Sequence, residues 1–438
     1  MRAIHRLSKI LQPITIISKG SNNPHKDVTS KSQRLMLELG VIQQAHTGSF
    51  HFLPLGLRAL DKLVKIVDEE MASIGGQKIM FPTLVKADLW TTSGRADAMG
   101  SELMTLKDRH NHKYILCPTH EETASHLLQS LAPISYKRFP LLIYQITSKY
   151  RDEMKPRFGL IRGREFVMKD LYSFDVDKLS AMETYEKVAG SYDRVFKRIG
   201  INFVKVLGTS GTMGGDLSHE YHYRAAIGDD KIFVCHNCDF SANVDLMKTE
   251  KCPKCDEGKN VSIQSSIEVG HTFLLGDKYS KPLNAKYLSH NAKPQLLQMG
   301  SYGLGLSRIL AASVEVLSLE QEMRWPDSLA PFNVVVVPPK AGSREEATVG
   351  PLAERLYASL EREVPELKQN VLLDDRTNLT VGRRFLDARR VGYRFVIVLN
   401  KLSSEDPPQF EMNDLARNSQ MVLQENQIIK YIKENINT

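Results

Sequence analysis

The chain has 438 residues, 42% hydrophobic and 25% charged, with a net charge of +7, enough for two or three domains with cores of their own. No run of 18 apolar residues occurs, so neither a transmembrane helix nor a membrane partner is expected. Five cysteines, four of them in two Cys-x-x-Cys pairs, give metal-site spacing rather than a secreted disulfide framework, and the basic excess suits a polyanionic partner without requiring one.

The first 26 residues hold no acid, and Ile4, Leu7, Ile10 and Leu11 share one face at helical spacing with Arg2, Arg6 and Lys9 largely off it. Residues 1–30 therefore read as a mitochondrial transit peptide with cleavage between about 18 and 32, against the plainer reading of a disordered basic tail. Leu57, Leu60, Leu63, Val64, Val67, Met71 and Ile74 predict an amphipathic helix ending at Gly75-Gly76. An edge strand over 78–84, interrupted by Pro82, follows. Tyr114–Cys117 reads as a strand running into a helix, with Thr119 and Glu122 as its capping box and Glu121 left without a structural task.

Residues 145–153 alternate as a strand, which puts Arg151 and Glu153 on one face. Pro156 and Gly159 mark a turn, and 160–166 return as a second strand with Arg162 and Arg164 on one face. Helical spacing recurs over 178–199. Residues 208–223 read as a loop, and 299–305 run into a helix near Leu306. After Pro331 strands and helices alternate (334–337, 345–364, 370–373, 383–390, 394–399, then a last helix), which predicts a separate α/β domain over 331–438. The overall expectation is α/β, with an α+β catalytic domain over 31–330 built on an antiparallel sheet flanked by helices.

No P-loop string and no kinase lysine set is present. The arginines instead suggest a nucleoside triphosphate gripped at both ends. Arg151 suits the α-phosphate and Glu153 the adenine amino group. Arg308, at a glycine-flanked helix start, suits the γ-phosphate. Gly303 and Gly305 would let the backbone approach the nucleotide, although Gly-Leu-Gly is also a plain tight turn.

The ordered strings Cys117–Glu122, Tyr150–Gly159, Arg162–Asp170, Gly214–Glu220, Ile267–Phe273, Met299–Gly305 and Val371–Arg376 resemble those of bacterial-type prolyl-tRNA synthetases, class IIa enzymes, over about residues 32–438. The resemblance implies a class II synthetase fold with a C-terminal anticodon-binding domain, ATP with Mg2+, L-proline and tRNA(Pro) as partners, a homodimer and the mitochondrial matrix. It implies Thr119 and Glu121 at the prolyl imino group, Arg162 near the carboxylate and α-phosphate, and Glu268, His271 and Phe273 across the pocket. It also implies His219 and Glu220 close to the nucleotide. Arg376, Arg383, Arg384, Arg389 and Arg390 are the residues for tRNA, against the alternative of a solvated helix face.

Two features depart from the bacterial pattern. Only 47 residues separate Glu220 from Glu268, too few for the usual editing domain, so no hydrolytic editing in cis is expected. The same gap, within 231–260, holds Cys235, Cys238, Cys252 and Cys255, read as a structural Zn2+ ribbon with a metal-free remnant as the alternative. A threonyl- or histidyl-type synthetase and an inactive synthetase-like accessory protein are the competing functions.

Overall fold

The computed structural model describes residues 4–14, 28–255 and 260–436. It divides into two units, one drawn from residues 1–43, 51–62 and 317–438, the other from 44–50 and 63–316. The expected cleavage region lies largely outside the described residues.

In chain order come α1 (Lys31–Glu38), the hairpin β1 (Ile42–His46) and β2 (Ser49–Phe52), and α2 (Pro54–Ser73). The last is the helix its apolar spacing predicts, stopped by Gly75 at φ +83°. The edge strand expected over 78–84 is shorter. Only β3 (Gln77–Lys78) pairs, and β4 (Leu84–Lys86) joins another sheet. Pro82, with no N–H to donate, lies in the break between them. α3 (Ala87–Thr92) and α4 (Arg95–Met99) follow, then β5 (Met104–Lys107) and β6 (Lys113–Leu116), which complete an antiparallel trio ordered β4-β6-β5.

α5 (Glu121–Ser130) leads to β7 (Leu141–Tyr150) and β8 (Glu165–Asp175), an antiparallel hairpin with Tyr150 opposite Glu165. The return strand begins at Glu165, later than the sequence suggests. The backbone N–H of Arg164 goes to Gly48 O at 2.7 Å, so Arg162 and Arg164 lie in the connection and share no strand face. α6 (Lys178–Ile199) is capped by Asp177, whose carboxylate accepts from Ser180 N at 2.8 Å. It buries Tyr185, Val188, Tyr192 and Phe196.

β9 (Val204–Leu207), β10 (Leu217–Arg224), β11 (Asp230–Cys235), β12 (Ser241–Asn243) and β13 (Val261–Gly276) come next. The loop expected over 208–223 is thus half strand, because β10 pairs with β13 on one side and β9 on the other. β14 (Lys286–Leu288) and β15 (Pro294–Leu296) form a small hairpin, and β16 (Gln298–Gly305) passes directly into α7 (Leu306–Leu317). The main sheet has nine strands ordered β10-β9-β12-β11-β13-β16-β8-β7-β3. Gly303 and Gly305 are strand residues, not a turn.

The other unit carries β17 (Val334–Val337), α8 (Glu346–Glu363), β18 (Val371–Leu373), α9 (Val381–Val391), β19 (Phe395–Val398), β20 (Phe410–Asp414), β21 (Ser419–Leu423) and α10 (Glu425–Asn435). Its sheet is ordered β18-β17-β19-β20-β21, parallel across the first three strands. The β20–β21 hairpin was not expected. β17 is apolar and buried at all four positions, as a parallel strand covered on both faces should be.

Residues 4–14 belong to this unit and are not the amphipathic helix their spacing suggests. Only Leu7–Lys9 turn, as a 3-10 helix. Arg6 bridges in parallel to Leu373, Leu373 N donates to His5 O at 2.9 Å, Ser8 Oγ donates to Asp375 at 2.7 Å, and Leu7 is buried. So short a helix is marginal in water, and pairing on the β18 edge wins. Leu7→Ala should cost about 2 kcal/mol, read as an earlier unfolding midpoint of this unit in denaturant. An unchanged midpoint would mean the segment is not docked.

Candidate active site

The centre of the main sheet delivers charged residues to one cavity of ≈ 280 Å³. Arg151 follows the end of β7, Arg308 stands in the first turn of α7, and Glu268, His271 and Phe273 lie along β13. Thr119 and Glu121 open α5, and Gly303 and Gly305 floor the space from β16. All of these, and Glu153, line the cavity. A Cβ at Gly303 would meet only Met168, at 3.7 Å, so packing does not demand glycine there. The bare backbone leaves room for a ligand.

At one end are two guanidiniums. Arg151 is half-buried over the Phe166 ring at 5.3 Å, and its buried Nε–H has no hydrogen-bond partner among the described residues. Burial, then the charge of Arg308, lowers its pKa, while Glu268, Glu102 and Glu153 oppose the shift. Arg308 donates to Ile161 O at 2.8 Å and Glu268 O at 3.0 Å. Two such cations beside one cavity form a site for an anion with several oxygens. Arg162 does not line it. Arg162 pairs with Glu153 at 3.0 Å and with Asp229 at 3.7 Å.

The other end is built on a buried carboxylate. Glu121 accepts from Arg95 Nη1 at 2.8 Å, Ser301 Oγ at 2.7 Å and Thr119 Oγ1 at 2.8 Å. Thr119 is therefore a ligand of Glu121, and the expected capping box with Glu122 does not form; α5 has no side-chain cap. Below, Asp170 accepts from Lys149 Nζ at 2.7 Å, Gln145 Nε2 at 2.9 Å and Tyr172 Oη at 2.7 Å. Tyr172 Oη also accepts from His120 N at 2.8 Å, which fixes the start of α5.

The side wall is Phe273, stacked on His271 at 3.9 Å between centroids. His271 Nδ1 bonds Glu268 at 2.8 Å and its Nε2 bonds Ser218 Oγ at 2.6 Å. Burial alone would raise the Glu268 pKa, but the hydrogen bond and charge of His271, with Arg308 and His222, hold it down to about 2. Glu268 stays ionised at neutral pH.

Neither His219 nor Glu220, which the resemblance puts close to the nucleotide, lines the cavity itself. The β10 register sets His219 opposite Thr272, on the face away from the cavity, and Glu220 opposite His271, on the cavity face but outside its lining. His219 Nδ1 bonds Tyr185 Oη at 2.7 Å. Glu220 is buried, bonded to His222 at 2.9 Å and Asn243 at 3.0 Å. Arg95, Ser301, Lys149 and Asp170 are residues the sequence reading missed. No local pattern marks Arg95, since its partners lie 26 and 27 residues away on another element.

Cys235, Cys238, Cys252 and Cys255 gather in the β11–β13 region with their sulfurs all within 4.8 Å of one another. Cys235–Cys255 is 3.7 Å and Cys238–Cys252 is 3.6 Å, and all four are free thiols. A tetrahedron with metal–sulfur bonds of about 2.3 Å has edges of about 3.8 Å. The four sulfurs fit such an ion.

The arginines expected to meet tRNA are not one free basic face. Arg384 is fully buried and donates to Asp374 O and Pro338 O, a structural task that removes it from the surface. Arg376 pairs with Asp374 at 2.8 Å and Asp387 at 3.1 Å. Arg383 pairs with Asp387, Arg389 with Glu322 and Arg390 with Glu38, all three partly exposed.

Residues 104–317 match the family described as tRNA synthetase class II core domain (G, H, P, S and T), and residues 333–435 match the anticodon binding domain. The fold is accordingly that of a class II aminoacyl-tRNA synthetase. A probable mitochondrial proline--tRNA ligase of Rattus norvegicus is 49% identical over 388 residues, 88% of this chain and 81% of that protein. The Homo sapiens protein of the same description is 47% identical over 411 residues, 93% and 86% of the two chains. A Giardia lamblia prolyl-tRNA synthetase solved with prolyl-adenylate superposes at a TM-score of 0.76 and 16% identity, over 92% of this chain and 76% of its own. The chain belongs to the proline--tRNA ligase family.

His219 gives a direct check of this geometry. Burial, then Lys205 and His271, lowers its pKa to about 4. The unfolded chain takes that proton near 6.5, so its contribution to stability falls as pH drops from 6.5 towards 4. In NMR titration its ring should remain neutral down to about pH 4. Titration near 6.5 would mean that the ring is not buried between β10 and its neighbours as described.

Proposed function

We propose that the chain activates L-proline with ATP to prolyl-adenylate and transfers the prolyl group to the 3' end of tRNA(Pro), for translation in the mitochondrial matrix. One observation carries this. A single cavity has paired guanidiniums at one end and an ionisable, hydrogen-bonded carboxylate at the other, with an aromatic wall between.

The chemistry follows from the arrangement. The secondary ammonium of proline meets Glu121 and Thr119, and its ring lies against Phe273. Its carboxylate, already ionised, attacks the α-phosphorus without a protein base. An oxygen–phosphorus bond forms, the α–β phosphoanhydride breaks, and pyrophosphate leaves. Arg151 holds the α-phosphate and Arg308 the γ-phosphate as negative charge builds on their oxygens. Arg162 reaches the same phosphate once it releases Glu153, which then accepts from the adenine amino group. Mg2+ bound with the nucleotide would further neutralise the phosphates, and Glu268, ionised on the cavity wall, would offer it an oxygen.

The remaining parts fit this reading. The family resemblance places a dimer contact at a long helix followed by an edge strand. Here β3 is the edge of the main sheet and Met80 beside it is 81% exposed, which supports a homodimer. Arg383, Arg389 and Arg390 on α9, partly exposed, are the cations offered to tRNA, in exchange for their carboxylate partners. The basic, acid-poor start supports an import leader, one that acts before residues 4–14 fold onto β18. The ribbon strands β11 and β12 occupy the stretch where an editing domain would stand, which supports the absence of editing in cis. The four cysteines hold a structural zinc.

In ATP–pyrophosphate exchange with a panel of amino acids, proline should be the substrate, and Arg151→Lys should lose about 100-fold in kcat/KM because an ammonium cannot reproduce the planar fork. Exchange driven by threonine or histidine, or by none, would refute the assignment. Protein purified reduced and without chelator should contain one zinc per chain by elemental analysis. A metal-free, fully folded protein would remove the zinc.

A further inference from the structure

Arg95 stands apart from the residues that the reaction uses directly. Its side chain is 3% exposed, between the Trp90 ring at 4.6 Å and the Tyr279 ring at 5.5 Å. Its Nη1 donates to Glu121 Oε2 at 2.8 Å and lies 3.3 Å from both oxygens of Glu122. Ser93 Oγ donates to Glu122 at 2.9 Å. Nη2 faces the sulfur of Met213 at 3.2 Å, and Arg95 lines the cavity itself.

One guanidinium against two carboxylates leaves this contacting trio with one net negative charge, and Lys278, which feels all three charges, holds the Thr212 and Met213 carbonyls instead of either carboxylate. Glu121 already accepts from Arg95, Ser301 and Thr119. A carboxylate offers about four lone-pair sites, and Thr119, 2.8 Å from both oxygens, has a single proton to give, so one site remains to accept from a ligand. We infer that Arg95 is a positioning residue for the substrate ammonium, holding Glu121 in its productive rotamer and, together with Glu122, setting the pocket charge to match one cation. This rests on the proline-activating reading above. Without Arg95 two carboxylates would face each other unscreened, and one would protonate. Burial pushes the Glu122 pKa up, Arg95 opposes the rise and Glu121 adds to it, so Arg95 is the group that keeps both carboxylates ionised.

A purely structural Arg95 would lower stability and nothing else specific to proline, so the test compares substrates and charge states. The full chain, Arg95→Met, Glu122→Gln and the double variant are assayed by ATP–pyrophosphate exchange, with folding checked by circular dichroism and thermal melting. Arg95→Met should raise the KM for proline about tenfold or more, the size of one lost charge-assisted contact, and leave the KM for ATP within about twofold. Glu122→Gln should also raise the proline KM, because Arg95 then neutralises Glu121 outright. The double variant restores one negative charge and should fall below Arg95→Met in proline KM. A folded Arg95→Met with an unchanged proline KM, or a double variant worse than either single one, overturns the inference. If Arg95→Met does not fold, Glu122→Gln decides alone, and an unchanged proline KM overturns it. A wild-type chain that does not exchange with proline would sink the assigned reaction instead.

Discussion

An ionised side chain taken out of water costs several kcal/mol unless a partner or a ligand meets it, and the main sheet places many such groups at its centre. Beneath the cavity Lys149 is matched to Asp170, and Asp170 to Gln145 and Tyr172. At one wall Arg95 is matched to Glu121 and Glu122, at the other His271 to Glu268. Each of these charges has a partner, while two Nε–H groups, of Arg151 at one end and of Arg95 at the other, find none among the described residues. A site arranged in this way is preorganised, because few groups have to turn when the ligand arrives.

Much of this was legible in the sequence where local spacing sets the answer. The helix over 178–199, the helix ending before Gly75 and the apolar strand Val334–Val337 follow from periodicity and caps alone. Arg151, Glu121 and Arg308 sit at strand or helix ends and Glu268, His271 and Phe273 along β13, and all reach one cavity, although family resemblance rather than spacing marked Glu121, Glu268, His271 and Phe273.

What was not legible depends on partners far away in the chain. Arg164 leaves the strand pattern because its N–H goes to Gly48. His219 and Glu220 read as loop residues until β13 pairs with their strand. Arg384 looks like one more cation on a basic helix, yet it is sealed against the carbonyls of Pro338 and Asp374. Residues 4–14 carry helical spacing, but an open sheet edge offers them more than a lone helix could. In each case tertiary pairing overrides a local preference worth less than about 1 kcal/mol per residue.

The 16-residue strand β13 ties two of these features together. Its first residue, Val261, is paired with Cys235 at the thiolate cluster, and seven positions on it presents Glu268 to the cavity. That is about 23 Å of continuous backbone, bonded to β11 over its first half and to β10 and β16 over its second. Slack introduced at the sulfur end would fray the ladder towards the substrate wall. A metal held by those four sulfurs would in this way bear on the cavity wall through the sheet alone, at a distance from the residues that line it.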